Sequence, residues 1–326
     1  MNLSSRALCI MLLLPLVALS QQKDTLSKKL DSLSIKADTT INKQKNEINP
    51  AAYEDTRLNV RTYLTLLKND FKQNATLPFH TKGKDWLKVA EFAAATGAIA
   101  LANRPINNFA KKLHGNNPGL ASVSNYVSRF GGPYEVYALG GFFAYGLLFN
   151  TRKEKTTTIL ATQAYIMSGV IGGVGKFLFG EQRPYYTDPI SGKSGPIFHG
   201  PFYAFKKGPH GEKLSRSDYA SFPSGHTTAA FAAATVYAME YRDKPLIPIL
   251  SYGAATLIGL SRLTENQHWP IDVFAGAMLG YLSGRQVVNN FHRYLKIKQG
   301  KAIHEPVTFN LQYANKQVLG GFTYKF

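Results

Sequence analysis

The chain is almost without cysteine: Cys9 is the only one in 326 residues, and it lies in an N-terminal stretch with the pattern of an export signal. Disulfides and thiolate metal sites are thereby excluded from the mature chain. Acidic residues are scarce as well, 20 against 38 Lys and Arg, for a formal net charge of +18. Such a balance favours anionic partners, whether phosphates, acidic lipid surfaces or nucleic acid. Nucleic acid drops out because the basic residues are scattered through polar segments, with no compact aromatic and basic platform. Long hydrophobic runs are few and mean hydropathy is −0.16. No internal repeat is visible.

Residues 1–20 do contain an apolar run, Ala7 to Leu19, behind Arg6 and with small residues at Ala18 and Ser20. This is the pattern of a cleaved signal peptide, with an uncleaved anchor as the alternative; either exports the rest of the chain. Residues 21–84 form a polar lead, in which Leu58, Leu64, Leu67 and Phe71 recur at helical spacing and predict an amphipathic helix packed on the main domain. A helical domain is expected over 85–292. Its apolar segments fall at 86–102, 134–149, 157–179, 226–241, 246–262 and 270–287. Only the third comfortably reaches the roughly 20 residues of a full membrane span. Several are rich in Gly, Ala, Ser and Thr, which suits close helix packing. The expected fold is all-α, a membrane-embedded bundle of about six core helices. Residues 293–326 are expected to be a basic tail ending in a short β-hairpin, since Val307, Phe309, Leu311 and Tyr313 alternate before a turn at Asn315-Lys316, and Phe322, Tyr324 and Phe326 alternate after it.

Charge between segments sets an expected topology. Arg152, Lys153 and Lys155, and then Arg242 and Lys244, mark two short connections as cytoplasmic, so the loops carrying Arg183, His226 and Arg262 face outward. Six full spans after an exported lead would place them inside. The first segment, short and carrying Glu91, is therefore expected to lie along the interface or against the bundle. The long loop 184–221, with many Gly, Pro, Tyr and basic residues, reads as a substrate-entry lid or a passive connection.

Three short blocks concentrate the chemistry. Lys176 and Arg183 lie seven residues apart, close to two helical turns, so both are expected on one helix face that ends near Pro184. Pro223-Ser224-Gly225-His226 opens a helix, where Gly225 allows close approach, Ser224 adds a hydroxyl and the first-turn amides make an anion cradle. His226 stands where a proton donor to a leaving oxygen is needed. In the third block Asp272 follows His268 by four residues and can orient one imidazole nitrogen, leaving the other as a nucleophile, while Arg262 offers a planar fork for phosphate oxygens. A metal is disfavoured because three cations would repel it, and no further carboxylate is counted in these blocks to offset them.

Together, Lys-six-Arg-Pro, Pro-Ser-Gly-His and Ser-Arg-five-His-three-Asp resemble the signature of the type 2 phosphatidic acid phosphatase and vanadium haloperoxidase superfamily, over roughly a third of the chain. The resemblance implies a phosphatase without cofactor or metal, with His268 as the nucleophile, Asp272 orienting it, and His226 protonating the leaving alcohol and then activating water. Lys176, Arg183, Ser224, Gly225 and Arg262 would hold the phosphoryl oxygens. The expected substrate is a lipid phosphate or pyrophosphate, met at the outward, periplasmic face of an envelope membrane. A soluble exported acid phosphatase, a haloperoxidase on the same scaffold, and a non-catalytic envelope protein that binds anionic lipids are the alternatives.

Overall fold

The computed structural model describes residues 53, 60–76, 83–148, 151–303, 307–314 and 317–324. The expected signal peptide, most of the polar lead and the turn at Asn315-Lys316 lie outside the described residues. Within them the chain runs α1 (Val60–Thr76), α2 (Gly83–Asn116), α3 (Pro118–Ser128), α4 (Pro133–Leu148), α5 (Arg152–Phe179), α6 (Gly225–Glu240), α7 (Leu246–Thr264) and α8 (Pro270–Ile303). Val307–Ala314 and Gln317–Tyr324 then run antiparallel, with Val307 opposite Tyr324 and Ala314 opposite Gln317. The last five apolar segments read from sequence correspond to α4 to α8, and α8 extends well past residue 287.

α6 is the centre of the bundle and packs against α5, α7 and α8. Its buried residues are mostly small, among them Ala230, Ala232, Ala234 and Ala238, so its neighbours approach the backbone itself. α8 answers with Gly276, Gly280 and Gly284, spaced four apart and therefore on one face. A Cβ would lie 2.8 Å from Ser224 O at Gly276 and 2.6 Å from Ala232 O at Gly284, and at Gly280 it would overlap Thr228 O. Larger residues fill the space beside this contact. Leu160, Met167, Val236, Val288, Phe291 and Leu295 form one buried cluster across α5, α6 and α8, each worth about 1.5–3 kcal/mol on burial.

α1 docks through polar groups. Leu64 is exposed and Leu66 is buried, so the expected stripe is shifted. The most buried side chain of the helix is the carboxylate of Asp70, which accepts from Gln163 Nε2 at 2.6 Å and from Asn290 Nδ2. Gln286 Nε2 donates to the Asp70 carbonyl at 3.1 Å. The sequence stripe missed this because a buried carboxylate is stable only with partners that other helices bring.

The first apolar segment is expected over 86–102. Instead α2 continues through Pro105 to Asn116. Asn103 and Asn107, one turn apart, explain the continuation: Asn103 Oδ1 accepts the Ile271 N–H at 3.0 Å, and Asn107 Nδ2 donates to Asn266 Oδ1 at 3.0 Å. α2 packs against α7 and α8, in keeping with the expectation that it lies against the bundle. α3 was not anticipated; it packs on α7, where Thr264 Oγ1 donates to Ser124 Oγ at 2.9 Å.

α5 to α8 alternate in direction, so the end of α5, the start of α6, the end of α7 and the start of α8 share one end of the bundle. The two basic connections meet at the other end, where Lys153 Nζ lies 3.9 Å from Asp243 and 4.7 Å from the Tyr241 ring centre. α5 and α7 are long and apolar enough to cross a membrane by length and composition. Val170 and Val174 on α5, Phe142 and Leu148 on α4, and Ile249, Leu250 and Leu257 on α7 are exposed.

Candidate active site

Lys176 sits in the last turn of α5, which Gly180 ends by adopting φ +52 and donating its N–H to Lys176 O. A residue with a Cβ would meet Gly200 O here, so the turn requires glycine. Arg183 is therefore not on the helix, and the expected shared face with Lys176 is incorrect. It is carried on the extended chain beyond the turn, where its N–H bonds Asp218 O at 2.8 Å. The two cations still converge on one place. Lys176 Nζ donates to Ala220 O at 2.5 Å, and Arg183 donates from Nε to Ser217 O and from Nη1 to Gln267 O, both at 2.8 Å.

Ser224 is the N-cap of α6 and is fully buried. Its Oγ accepts from Thr227 Oγ1 at 2.9 Å, which leaves its own proton available. Its N–H donates to Asp272 O at 3.1 Å, so the start of α6 is tied to the start of α8. Gly225 is exposed beside Lys176; a Cβ at this position would lie 3.8 Å from Lys176 Cε, and the Gly225 N–H belongs to the unpaired first turn. His226 follows, with Gly131 and Gly132 of the α3–α4 connection against its ring. Burial, then the charges of Arg262, Lys176 and Arg183, lower its pKa to about 4.

α7 ends at Thr264, and the N–H groups of Gln267 and His268 both return to Arg262 O, at 3.0 and 3.3 Å. That turn swings His268 back over the bundle end. Pro270 then starts α8, and Asp272 in its first turn accepts the Trp269 N–H at 2.8 Å, one half of a capping box. The same oxygen, Oδ2, takes Ser221 Oγ–H at 2.5 Å and His268 Nδ1 at 3.2 Å. On the other side of the ring Arg183 Nη1 lies 3.4 Å from Nε2. A guanidinium only donates and an ionised carboxylate only accepts, so the proton belongs on Nδ1 and the lone pair on Nε2. His268 is 2% exposed, and burial is the main cause that lowers its pKa to about 3. Asp272 is 0% exposed; burial opposes its ionisation, but hydrogen bonds from its neighbours outweigh it and hold the pKa below the ordinary value.

The eight residues singled out from the sequence are thus gathered at one end of the bundle. The count of carboxylates was wrong, however. Glu265, in the third block, pairs with Arg262, and Glu181, in the first, is fully buried and hydrogen-bonds Asp272. Among the described residues no acceptor reaches the buried Nε of Arg262. Ser221, Trp269 and Asn103 were also missed. The capping position of Asp272 could have disclosed the Trp269 N–H; the others are tertiary contacts without a local signal.

Residues 183–221 are held by Asp188, whose carboxylate accepts from Tyr219 Oη at 2.5 Å, Tyr203 Oη at 2.9 Å and Ser191 Oγ at 2.5 Å. Burial acts against its ionisation, yet these bonds keep its pKa at about 2. Trp269 Nε1 donates to Gln182 O at 2.8 Å and fastens the first block to the third.

A family model described as the PAP2 superfamily matches residues 157–295. A lipid A 1-phosphatase of Porphyromonas gingivalis is 45% identical over 65 residues, 20% of this chain and 15% of that protein. An undecaprenyl-diphosphatase of Sulfolobus acidocaldarius is 27% identical over 156 residues, 48% of this chain and 63% of that protein. In both, the chain spans less than two thirds of the relative's length. Among solved structures, Aquifex aeolicus LpxE is 24% identical, with a TM-score of 0.41 over 57% of this chain and 94% of that one.

Proposed function

Residues 157–295 are a PAP2 superfamily domain, and from that premise we propose that the protein is a phosphatase that hydrolyses a lipid phosphate or pyrophosphate through a phosphohistidine. The observation that carries this reading is the orientation of His268: Nδ1 is occupied by Asp272, and Nε2 presents its lone pair beside Arg183. Nε2 attacks phosphorus, the bond to the leaving oxygen breaks, and His226 gives that oxygen its proton. Water then attacks phosphorus and the phosphorus–nitrogen bond breaks; His226 takes the water's proton, and inorganic phosphate leaves with His268 restored. Lys176, Arg183, Arg262, Ser224 Oγ–H and the Gly225 N–H surround the phosphoryl oxygens and stabilise the charge of the five-coordinate transition state. The buried Nε of Arg262 and the spare proton of Ser224 are donors of the kind a phosphate oxygen would satisfy. None of these steps needs a metal.

A lipid substrate is supported by the activities of the relatives and by the exposed apolar faces of α4, α5 and α7. The basic connections at the far end favour the site end facing outward, toward the periplasm.

The test is phosphate release from phosphatidate, lipid A and undecaprenyl pyrophosphate by the purified protein and by His268→Ala. Turnover should fall by about 10⁴-fold or more, with the fold retained by circular dichroism. Quenching in alkali should trap an acid-labile phosphoenzyme in the parent and none in His268→Ala. Equal turnover in the two would refute the role of this histidine.

A further inference from the structure

Glu181 takes no part in the steps above, yet it is 0% exposed and lies at their centre. The Gly180 turn directs it inward, and its carbonyl accepts the N–H of Ser221 at 3.0 Å, the residue whose hydroxyl donates to Asp272. Asp272 uses its two oxygens unequally. Oδ2 receives Ser221, Trp269 and His268, whereas among the described residues no N–H or alcohol donor reaches the buried Oδ1. The Glu181 carboxyl is hydrogen-bonded to this same aspartate.

We propose that Glu181 is a positioning residue: its carboxyl keeps a proton, donates it to Asp272, and so holds Asp272 as the ionised acceptor that orients His268. The inference rests on the proposed function for the importance of that orientation. Two carboxylates in contact and out of water do not both ionise; one proton serves the pair. Ser221, Trp269 and His268 already donate to Asp272, so the charge settles on Asp272. The groups facing the pair are Lys176 from α5, Arg183 and Ser221 from the intervening chain, and His268 and Trp269 ahead of α8. With Glu181 neutral and Glu265 paired to Arg262, this end of the bundle keeps a net positive charge for an arriving phosphate. An ionised Glu181 would cancel part of it and compete with His268 for the field of Lys176.

Two variants and one spectroscopic measurement test this. Glu181→Gln retains an N–H donor toward Asp272, and Glu181→Met retains the shape without a donor. Infrared difference spectra between the parent and Glu181→Gln at neutral pH, with no substrate present, should show the carbonyl band of a protonated carboxylic acid in the parent alone. The subtraction removes other buried carboxyls such as Asp70 and Glu240. In turnover, Glu181→Gln should stay within about threefold of the parent, while Glu181→Met should lose about tenfold or more in kcat with KM changed by less than about twofold. A difference spectrum with only an ionised carboxylate band overturns the proposal, as does equal kcat in the two variants. The spectrum needs no activity, so it separates this inference from the function itself: loss of the function would appear as undiminished turnover in His268→Ala with the band unchanged.

Discussion

At the scale of single residues, the two histidines are held neutral by burial, helped by Lys176 and Arg183 at both and by Arg262 at His226, and this has a consequence for acid stability. Both folded-state pKa values, about 3 for His268 and about 4 for His226, lie below the ordinary imidazole value of about 6.5. Their contribution is therefore fully present above about pH 6.5 and is lost as pH falls toward the folded values, because the unfolded chain binds the protons first. Asp70 acts with the opposite sign. Burial raises its pKa to about 6, so its contribution is lost as pH rises through that value. Comparing His226→Asn with the parent isolates the histidine: thermal unfolding between pH 7 and pH 5 should show a smaller drop in Tm for the variant, and parallel curves would contradict the assignment. A bound phosphate dianion would offset the cations around His226 and raise its pKa, supplying the proton when the leaving oxygen is in place.

At the scale of elements, the contact between α6 and α8 joins packing to chemistry. Gly276 faces Ser224 O, and the Ser224 N–H reaches Asp272 O, so the glycine stripe sets the distance between Ser224 and Asp272. Gly280→Ala should destabilise by about 1–3 kcal/mol, since the added methyl overlaps backbone and has nowhere to go. Gly97→Ala, in α2 with nothing within 4 Å, should instead be neutral or stabilising by about 0.5–1 kcal/mol. Equal Tm values for the two would show that the close approach does not matter. α1 offers a second test. Asp70→Ala leaves the amide of Gln163 without its acceptor and that of Asn290 with Gln73 Oε1 alone, and should cost about 1–3 kcal/mol and loosen α1 toward protease.

At the scale of the molecule, the bundle gathers its polar chemistry at one end and exposes leucine, isoleucine, valine and phenylalanine around its sides. Such a surface should partition with membranes after alkaline washing and should need detergent for extraction. Recovery of active protein in the aqueous fraction would instead support the soluble phosphatase reading. In intact cells, an impermeant lysine reagent should reach Lys207 and Lys213 in the long connection while sparing Lys153 and Lys155 at the other end, if the site faces outward.

Much of the site was legible because its chemistry is local. Pro223-Ser224-Gly225-His226 is a helix start, and His268 and Asp272 share one turn around Pro270, so backbone rules alone bring each set together. The five apolar segments of α4 to α8 were legible for the same reason, since a helix's period is written in its own residues. The features that stayed hidden depend on partners far away in the chain. Arg183 reaches the site from the irregular chain beyond α5 because Gly180 ends the helix against Gly200, α2 runs through Pro105 because its asparagines hold the loops of the site, and Asp70 is buried because Gln163 and Asn290 receive it. The sequence by itself determined which side chains could serve phosphate chemistry and the helix starts that hold Ser224, Gly225, His226 and Asp272. Only the tertiary structure decided how those groups are oriented and charged, because a hydrogen bond or a shared proton between buried residues exists only once distant segments have excluded water from around them.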